Sequence, residues 1–146
     1  MVLGTRTNPY LSLNFLVEIQ SLTLGGFSEV SGLEAEMEVY DYQEGGVNHY
    51  LHRLPGPAKY SSNLLLQRGV VDSDALWNWY DATVRGQIQR HNGSIILLNA
   101  TQEPVKRWNF AAAYPVKWSG PELKATGVEV AVERLELAHR GISLAR

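Results

Sequence analysis

The stretch FSEVSGLEAEMEVYDY, residues 27–42, decides the fold class because its side chains alternate between apolar and charged. The apolar parity holds Leu33, Ala35, Met37 and Val39, and the opposite parity holds Glu34, Glu36 and Glu38. Successive side chains of a β-strand point to opposite faces. The stretch therefore predicts a strand with one dry face and one acidic face.

The same period of two recurs on both sides of this strand. Residues 11–19 and 61–67 predict two further strands. Residues 95–99 form a continuous apolar run, and residues 105–113 are expected to pair with it. Together these two segments predict a β-hairpin.

The last part of the chain predicts an aromatic-rich connection over residues 114–124 and a final strand over residues 127–139. Within that strand the valines at 128, 130 and 132 are even, whereas Leu135 and Leu137 are odd. The buried face is expected to change sides between them, at a bulge or because the strand serves two packed surfaces.

One helix is predicted, over residues 73–86. Leu76, Tyr80 and Val84 fall at i, i+4 and i+8, which places them on one apolar stripe. With six or seven strands, the chain is predicted to be a single mainly β domain over residues 1–146. The expected architecture is a β-sandwich or small barrel with one flanking α-helix. Residues 1–10 form its expected N-terminal arm.

A long loop is predicted over residues 41–60, where glycine and proline recur. The segment also carries side chains that a solvated loop would not normally hold, including Tyr42, Tyr50 and Leu54. Charged residues make up 19% of the chain, below the roughly 25% of typical soluble domains. We therefore expect part of the surface, this loop included, to contact a partner.

Composition excludes several classes of function. The net charge of −2 leaves no basic surface for sequence-specific nucleic acid binding or for an anionic membrane. The chain has no cysteine, which excludes disulfides and thiolate chemistry. Residues 1–10 do not resemble a secretory signal, and no run of about 18 apolar residues predicts a membrane-spanning helix.

Two clusters of ionisable residues are candidates for chemistry, and a structural interpretation is favoured for each. His49 and His52, with Asp41 and Glu44 upstream, could bind a metal, but side chains three apart on an extended chain point to opposite faces. The glutamates of residues 34–38 could serve hydrolysis, but nothing nearby would raise the pKa of one of them selectively. A solvated acidic face is the simpler interpretation.

The aromatic cluster Trp77, Trp79 and Tyr80 is a candidate sugar platform, although packing of the helix is the favoured interpretation. The sequence contains no nucleophile elbow, phosphate loop or dinucleotide fingerprint. The chain is predicted not to be an enzyme and to have no catalytic residue, cofactor or metal site.

Eight short stretches in a fixed order resemble one known family. They are residues 14–19 (NFLVEI), 26–34 (GFSEVSGLE), 54–56 (LPG), 76–80 (LWNWY), 89–95 (QRHNGSI), 107–110 (RWNF), 114–118 (YPVKW) and 133–139 (ERLELAH). Over nearly its full length the chain resembles the tail tube, or inner tube, proteins of contractile phage tails, phage-like bacteriocins and extracellular contractile injection systems.

The resemblance implies a structural subunit. Six copies are expected to close into a ring with a continuous inner β-barrel, and stacked rings to form a hollow conduit that templates the sheath. The loop at residues 41–60 is expected to reach the neighbouring ring. Its expected contact residues are Asp41, Tyr42, Glu44, His49, Tyr50, Arg53 and Lys59. Glu34, Glu36 and Glu38 are expected to face the lumen.

Expected partners are further copies of the chain, the sheath protein, baseplate hub and tube-initiator proteins, a tail terminator or cap, and a tape measure or effector cargo in the lumen. Assembly is expected in a bacterial or archaeal cytoplasm or in a phage-infected host. The product is expected to be part of a phage tail or of an injection particle that can be released from the cell. Two alternatives stay open: a stand-alone secreted ring that carries effectors, like type VI tubes, and a carbohydrate-binding β-sandwich.

Overall fold

The computed structural model describes residues 10, 14–20, 22, 26–42 and 52–145 of the chain. These residues form nine strands and one helix. In chain order they are β1 (Phe15–Ile19), β2 (Phe27–Ser31), β3 (Glu36–Tyr42), β4 (His52–Lys59), β5 (Leu64–Gly69), α1 (Ala75–Val84), β6 (His91–Leu98), β7 (Pro104–Ser119), β8 (Val132–Ala138) and β9 (Gly141–Leu144).

Seven of the strands form one antiparallel sheet in the order β1-β6-β7-β8-β5-β2, with β9 also paired to β7. The 16-residue β7 belongs to both halves of it, because its first part pairs with β6 and β9 and its second part pairs with β8. Between these parts Ala112 adopts a φ of 52°, where the chain changes partners. The predicted β6–β7 hairpin is confirmed.

The two halves of the sheet share one hydrophobic core. It takes Val17, Ile19, Ile95 and Phe110 from one half, Leu64, Leu66, Leu135 and Leu137 from the other, and Leu76 and Trp79 from α1. Because both halves bury side chains against each other and the helix adds a third side, the mainly β sandwich with one flanking helix is confirmed. In the helix, Trp79 is buried, whereas Val84, its last residue, is 65% exposed.

The single strand predicted over residues 27–42 is wrong, because the chain bends within it. β2 pairs with β5 in the main sheet, and β3 pairs with β4 in a separate two-stranded sheet. Gly32, at the bend, has a φ of 90°, and a Cβ there would lie 2.0 Å from the carbonyl oxygen of Asn63. Only glycine fits this conformation and this close approach. A long hairpin thus runs through β2–β3 and back through β4–β5, with its bend at Gly32 and Asn63.

The expectation that residues 41–60 form a loop is also wrong for half of them. Residues 41 and 42 end β3, and residues 52–59 are β4. Pro55 and Pro57 suggested a loop, but proline is tolerated in a strand that has a neighbour on one side only. The register shifts opposite Met37 and Val39, which marks an irregularity at these prolines. Residues 43–51 lie outside the described residues.

Two further predictions about the end of the chain need correction. Residues 114–119 are not a connection but the second part of β7, where Pro115 faces Leu137 of β8. The final strand begins at Val132 instead of residue 127, and Val128 and Val130 are 99% and 79% exposed. The change of parity between Val132 and Leu135 therefore marks the start of the strand and not a bulge within it.

Candidate assembly surface

The β3–β4 hairpin stands apart from the sandwich and presents an uncovered apolar surface. Its antiparallel register places Met37 opposite Ala58 and Val39 opposite Pro55. These four side chains form what we call the first face of the hairpin, and all four are exposed, Met37 at 54% and Val39 at 47%. The sequence predicted a dry face here, but in the described chain its side chains are exposed. An isolated two-stranded ribbon is at best marginally stable in water.

The second face of the hairpin is aromatic near its outer end. Tyr40 pairs with Leu54, and Tyr42 pairs with His52. The rings of Tyr42 and His52 are 6.2 Å apart between centroids, and both tyrosines are 53% exposed. Tyr40 donates a hydrogen bond from its hydroxyl to Glu38 Oε2 at 3.2 Å. Aromatic side chains with this combination of exposure and a polar end are typical of protein interfaces.

The predicted lumen glutamates lie at and beyond the bend, each bound to a hydroxyl group. Ser62 Oγ donates to Glu34 Oε2 at 2.6 Å, and Ser61 Oγ donates to Glu36 Oε1. These bonds connect the strand that enters the hairpin with the strand that leaves it. Glu34 and Glu36 therefore connect the two sides of the bend, whereas Glu38 accepts from Tyr40 on its own strand. That the three glutamates face a lumen stays a prediction.

The residues predicted for the inter-ring contact are only partly within the described chain. Asp41 and Arg53 face each other in the ladder and form an exposed ion pair at 3.5 Å. Lys59 lies opposite Glu36 at the base of the hairpin. Tyr42 lies on the second face, and Glu44, His49 and Tyr50 lie outside the described residues. Their role in a contact stays a prediction.

A depression of about 880 Å³ lies over a polar row that crosses four strands of the sandwich. Glu18, Ser94, Asn109 and Ser143 are successive partners across β1, β6, β7 and β9. Ser94 Oγ donates to Asn109 Oδ1 at 2.7 Å, and Arg107 pairs with Glu18 at 3.3 Å. These polar groups bind each other, and neither Ser94 nor Ser143 is paired with a base that could activate it.

A buried ion pair, which the sequence analysis missed, connects the sandwich to the start of the helix. Arg68 Nε lies 2.8 Å from Glu133 Oε1, and both side chains are nearly inaccessible. Arg68 Nη2 also donates to the carbonyl of Ser73, and Trp118 Nε1 donates to Glu133 Oε2, both at 3.1 Å. The alternation of side chains could have revealed the pair. Arg68 lies two residues from the buried Leu66, and Glu133 lies two residues from the buried Leu135, so both charged side chains are on the buried faces of their strands.

Within the described residues, no three side chains of His, Asp or Glu lie close enough to share a metal ion. In the same part of the chain, no helix is long and apolar enough to cross a membrane. Trp77, a candidate for sugar binding, packs edge-on against Trp118 with centroids 4.9 Å apart and stacks on Tyr80 at 5.9 Å.

Comparison with known proteins identifies close structural relatives. The family described as T4-like virus tail tube protein gp19 matches residues 11–143. A chain of the anti-feeding prophage (AFP) baseplate is 29% identical, with a TM-score of 0.82 over 96% of this chain and 97% of that one. A chain of the PVC sheath-tube complex, from an extracellular contractile injection system, is 25% identical, with a TM-score of 0.83 over 94% and 91%.

A chain of the PVC sheath/tube terminator is also 25% identical, with a TM-score of 0.85 over 97% of this chain and 100% of that one. A type six secretion system protein is 12% identical at a TM-score of 0.54, which shows a common fold alone. The search of curated proteins finds no match.

Proposed function

The chain belongs to the T4-like virus tail tube protein family, and on this premise we propose that six copies close into a ring and that the rings stack into the hollow inner tube of a contractile tail or injection particle. The function is structural: the tube encloses its contents, templates the sheath and is driven forward when the sheath contracts. The whole chain acts as one tube domain, and no side chain turns over a substrate.

The β3–β4 hairpin is the single observation that carries this proposal. A ribbon with exposed apolar side chains on its first face and aromatic ones on its second would remain uncovered in a monomer. Large exposed apolar surfaces mark interaction sites, and free strand edges pair readily with another chain. Contact with a second copy would cover both the face and the edge.

A continuous barrel also explains why the chain needs several copies. Barrels of about sixteen strands or more leave an aqueous channel, whereas about eight strands are filled by side chains. Six copies that contribute three or more strands each would exceed that number. Glu34, Glu36 and Glu38 would then line the lumen near the bend, and an acidic wall would repel an anionic content instead of binding it.

The partners follow from the assemblies in which the relatives occur. The solved relatives come from a baseplate, a sheath-tube complex and a sheath/tube terminator. We infer that this chain likewise contacts a sheath, a baseplate with its hub and initiator proteins, and a terminator or cap, and that a tape measure or effector occupies the lumen. Assembly in the cytoplasm before release of the particle is part of the same proposal.

The alternatives have weaker support. A stand-alone ring of the type VI kind rests on a likeness at 12% identity and a TM-score of 0.54. A sugar-binding sandwich would need an open aromatic platform, whereas Trp77, at 43% exposed, packs edge-on against Trp118 and stacks on Tyr80. The inner tube of a contractile particle is therefore the function that we favour.

Native mass spectrometry of the purified chain across a concentration series tests the ring. We expect six-copy species and multiples of six at high concentration. Monomers alone at every concentration would contradict the proposal.

A further inference from the structure

The β3–β4 hairpin is joined to the sandwich by two short links, the outgoing link of residues 32–35 and the returning link of residues 60–63. Within the described chain, neither strand of the hairpin pairs with a strand of the main sheet. The serine–glutamate hydrogen bonds described above join the two sides of the hairpin base to each other. They do not by themselves set the direction of the hairpin relative to the core.

The returning link is held by the corner between β8 and β9, residues 139–141, which we call the β8–β9 corner. His139 Nε2 lies 3.2 Å from the carbonyl oxygen of Ser62, and the His139 and Tyr60 rings lie 5.8 Å apart between centroids. The Tyr60 ring also lies against Gly141, where an added Cβ would be 3.4 Å from it. The corner therefore contacts both the backbone and a side chain of the returning link.

The hydrogen bond to Ser62 defines the tautomer of His139. A carbonyl oxygen only accepts, so Nε2 carries the proton and donates it. Nδ1 is buried and has no hydrogen-bond partner among the described residues, so the ring makes this one bond. Replacing His139 with phenylalanine would thus remove a single hydrogen bond while keeping a ring beside Tyr60.

The end of the returning link is bound to β8 itself. Asn63 Nδ2 donates to Glu136 Oε2 at 3.3 Å, and β5 begins at the next residue. Contacts with β8 or with the β8–β9 corner are therefore spread along the returning link, at residues 60, 62 and 63. Of these, the contacts of His139 are the ones nearest the hairpin strands.

We propose that His139 is a positioning residue that holds the β3–β4 hairpin at one angle to the sandwich in the single chain. A binding element whose direction is already fixed loses less conformational freedom when it binds, so preorganisation of this kind raises affinity without a new contact. The consequence for assembly rests on the proposed tube, whereas the fixed angle is a property of one copy alone.

Distances between two spin labels test the angle at a concentration below that of assembly. Because the chain contains no cysteine, Val39→Cys/Val84→Cys places one label on the hairpin and one on α1, and Val84→Cys/Leu144→Cys is the matched pair within the sandwich; all three positions are exposed. We expect His139→Phe to broaden the 39–84 distance distribution and to leave the 84–144 distribution unchanged. Arg140→Ala, at the exposed neighbouring position, should change neither.

A second variant reaches the same contact from the side of the hairpin. Tyr60→Leu removes the ring that lies against His139 and Gly141, so it should also broaden the 39–84 distribution. In both variants the critical concentration for assembly should rise roughly two- to tenfold, which is the factor equivalent to one lost hydrogen bond.

Unchanged 39–84 distributions in both variants, or equal broadening of the 39–84 and 84–144 distributions, would overturn the positioning role. A broadened 39–84 distribution with an unchanged critical concentration would overturn its consequence for assembly. Failure of the unmodified chain to form rings or tubes would instead contradict the proposed function, and the distances measured in the single chain would still decide the role of His139.

Discussion

Replacing Met37 by Gln and Val39 by Thr makes the first face of the hairpin polar while keeping the size of its side chains. Both residues are about half exposed in the single chain and lie outside the core. The double variant should therefore fold like the unmodified chain, with a melting temperature within a degree or two. Its assembly should weaken, because the contact that buries these side chains loses apolar area.

The size of the effect follows from the exposed fractions. Complete burial of a Val or Met side chain is worth about 1.5–3 kcal/mol. Met37 is 54% exposed and Val39 is 47% exposed, so roughly half of that gain is still available when a second copy covers them. Each residue then contributes about 1 kcal/mol to the contact. Their combined loss of about 2 kcal/mol raises the critical concentration about 30-fold, since about 1.4 kcal/mol is a factor of ten.

Sedimentation of assembled protein across a dilution series measures the critical concentration. Val84→Thr/Ile88→Gln is the matched control, because these two residues are 65% and 47% exposed and lie at the end of α1 and just beyond it. We expect the control to assemble like the unmodified chain. An unchanged critical concentration in Met37→Gln/Val39→Thr would refute the assignment of the first face to a contact between copies.

Three other predictions concern the folded chain. Glu133→Leu should lower the free energy of unfolding, measured by urea denaturation, by about 3–5 kcal/mol, because the buried Arg68 guanidinium loses its partner. Adding Arg68→Met should restore most of this free energy. An equal loss in both variants would count against the ion pair. Gly32→Ala should lower the melting temperature more than Gly26→Ala. Both glycines have a positive φ, but a Cβ at Gly32 would lie 2.0 Å from a carbonyl oxygen, whereas a Cβ at Gly26 would meet open space. Equal decreases would argue against the tight bend. Burial lowers the pKa of His91 below its ordinary 6.5, so the unfolded chain binds more protons as the pH falls through this range. Stability should consequently decline below about pH 6.5 and be insensitive to this group above it, and His91→Gln should flatten the decline in melting temperature; an unchanged slope would contradict the assignment.

The parts of the fold that the sequence predicted are those decided by local alternation. The β6–β7 hairpin, β1, β5 and the helix follow from periods of two and of 3.6 in short windows. The bend at Gly32 could not be predicted in this way. Its cause is the carbonyl oxygen of Asn63, which is 31 positions further along the chain and is brought close only by the pairing of β2 with β5.

The sequence predicted which side chains of the candidate surface share a face, but not where that face lies in the fold. Alternation correctly placed Met37 and Val39 on one face and the glutamates on the other, but periodicity does not tell what covers the dry face. β4 was missed because Pro55 and Pro57 are loop signals unless the strand is known to lie at an edge. For residues 127–131 the error was opposite, since the alternating valines predicted a strand, whereas β8 begins only at Val132 and Val128 and Val130 are exposed.

Negative-stain electron microscopy of the purified chain, concentrated above the point at which it sediments, tests the central claim most directly. We expect hollow rings and tubes of uniform diameter with a stain-filled channel. Solid aggregates, or monomers that persist when the chain is concentrated and incubated with its sheath and baseplate proteins, would contradict the claim that the chain builds a conduit.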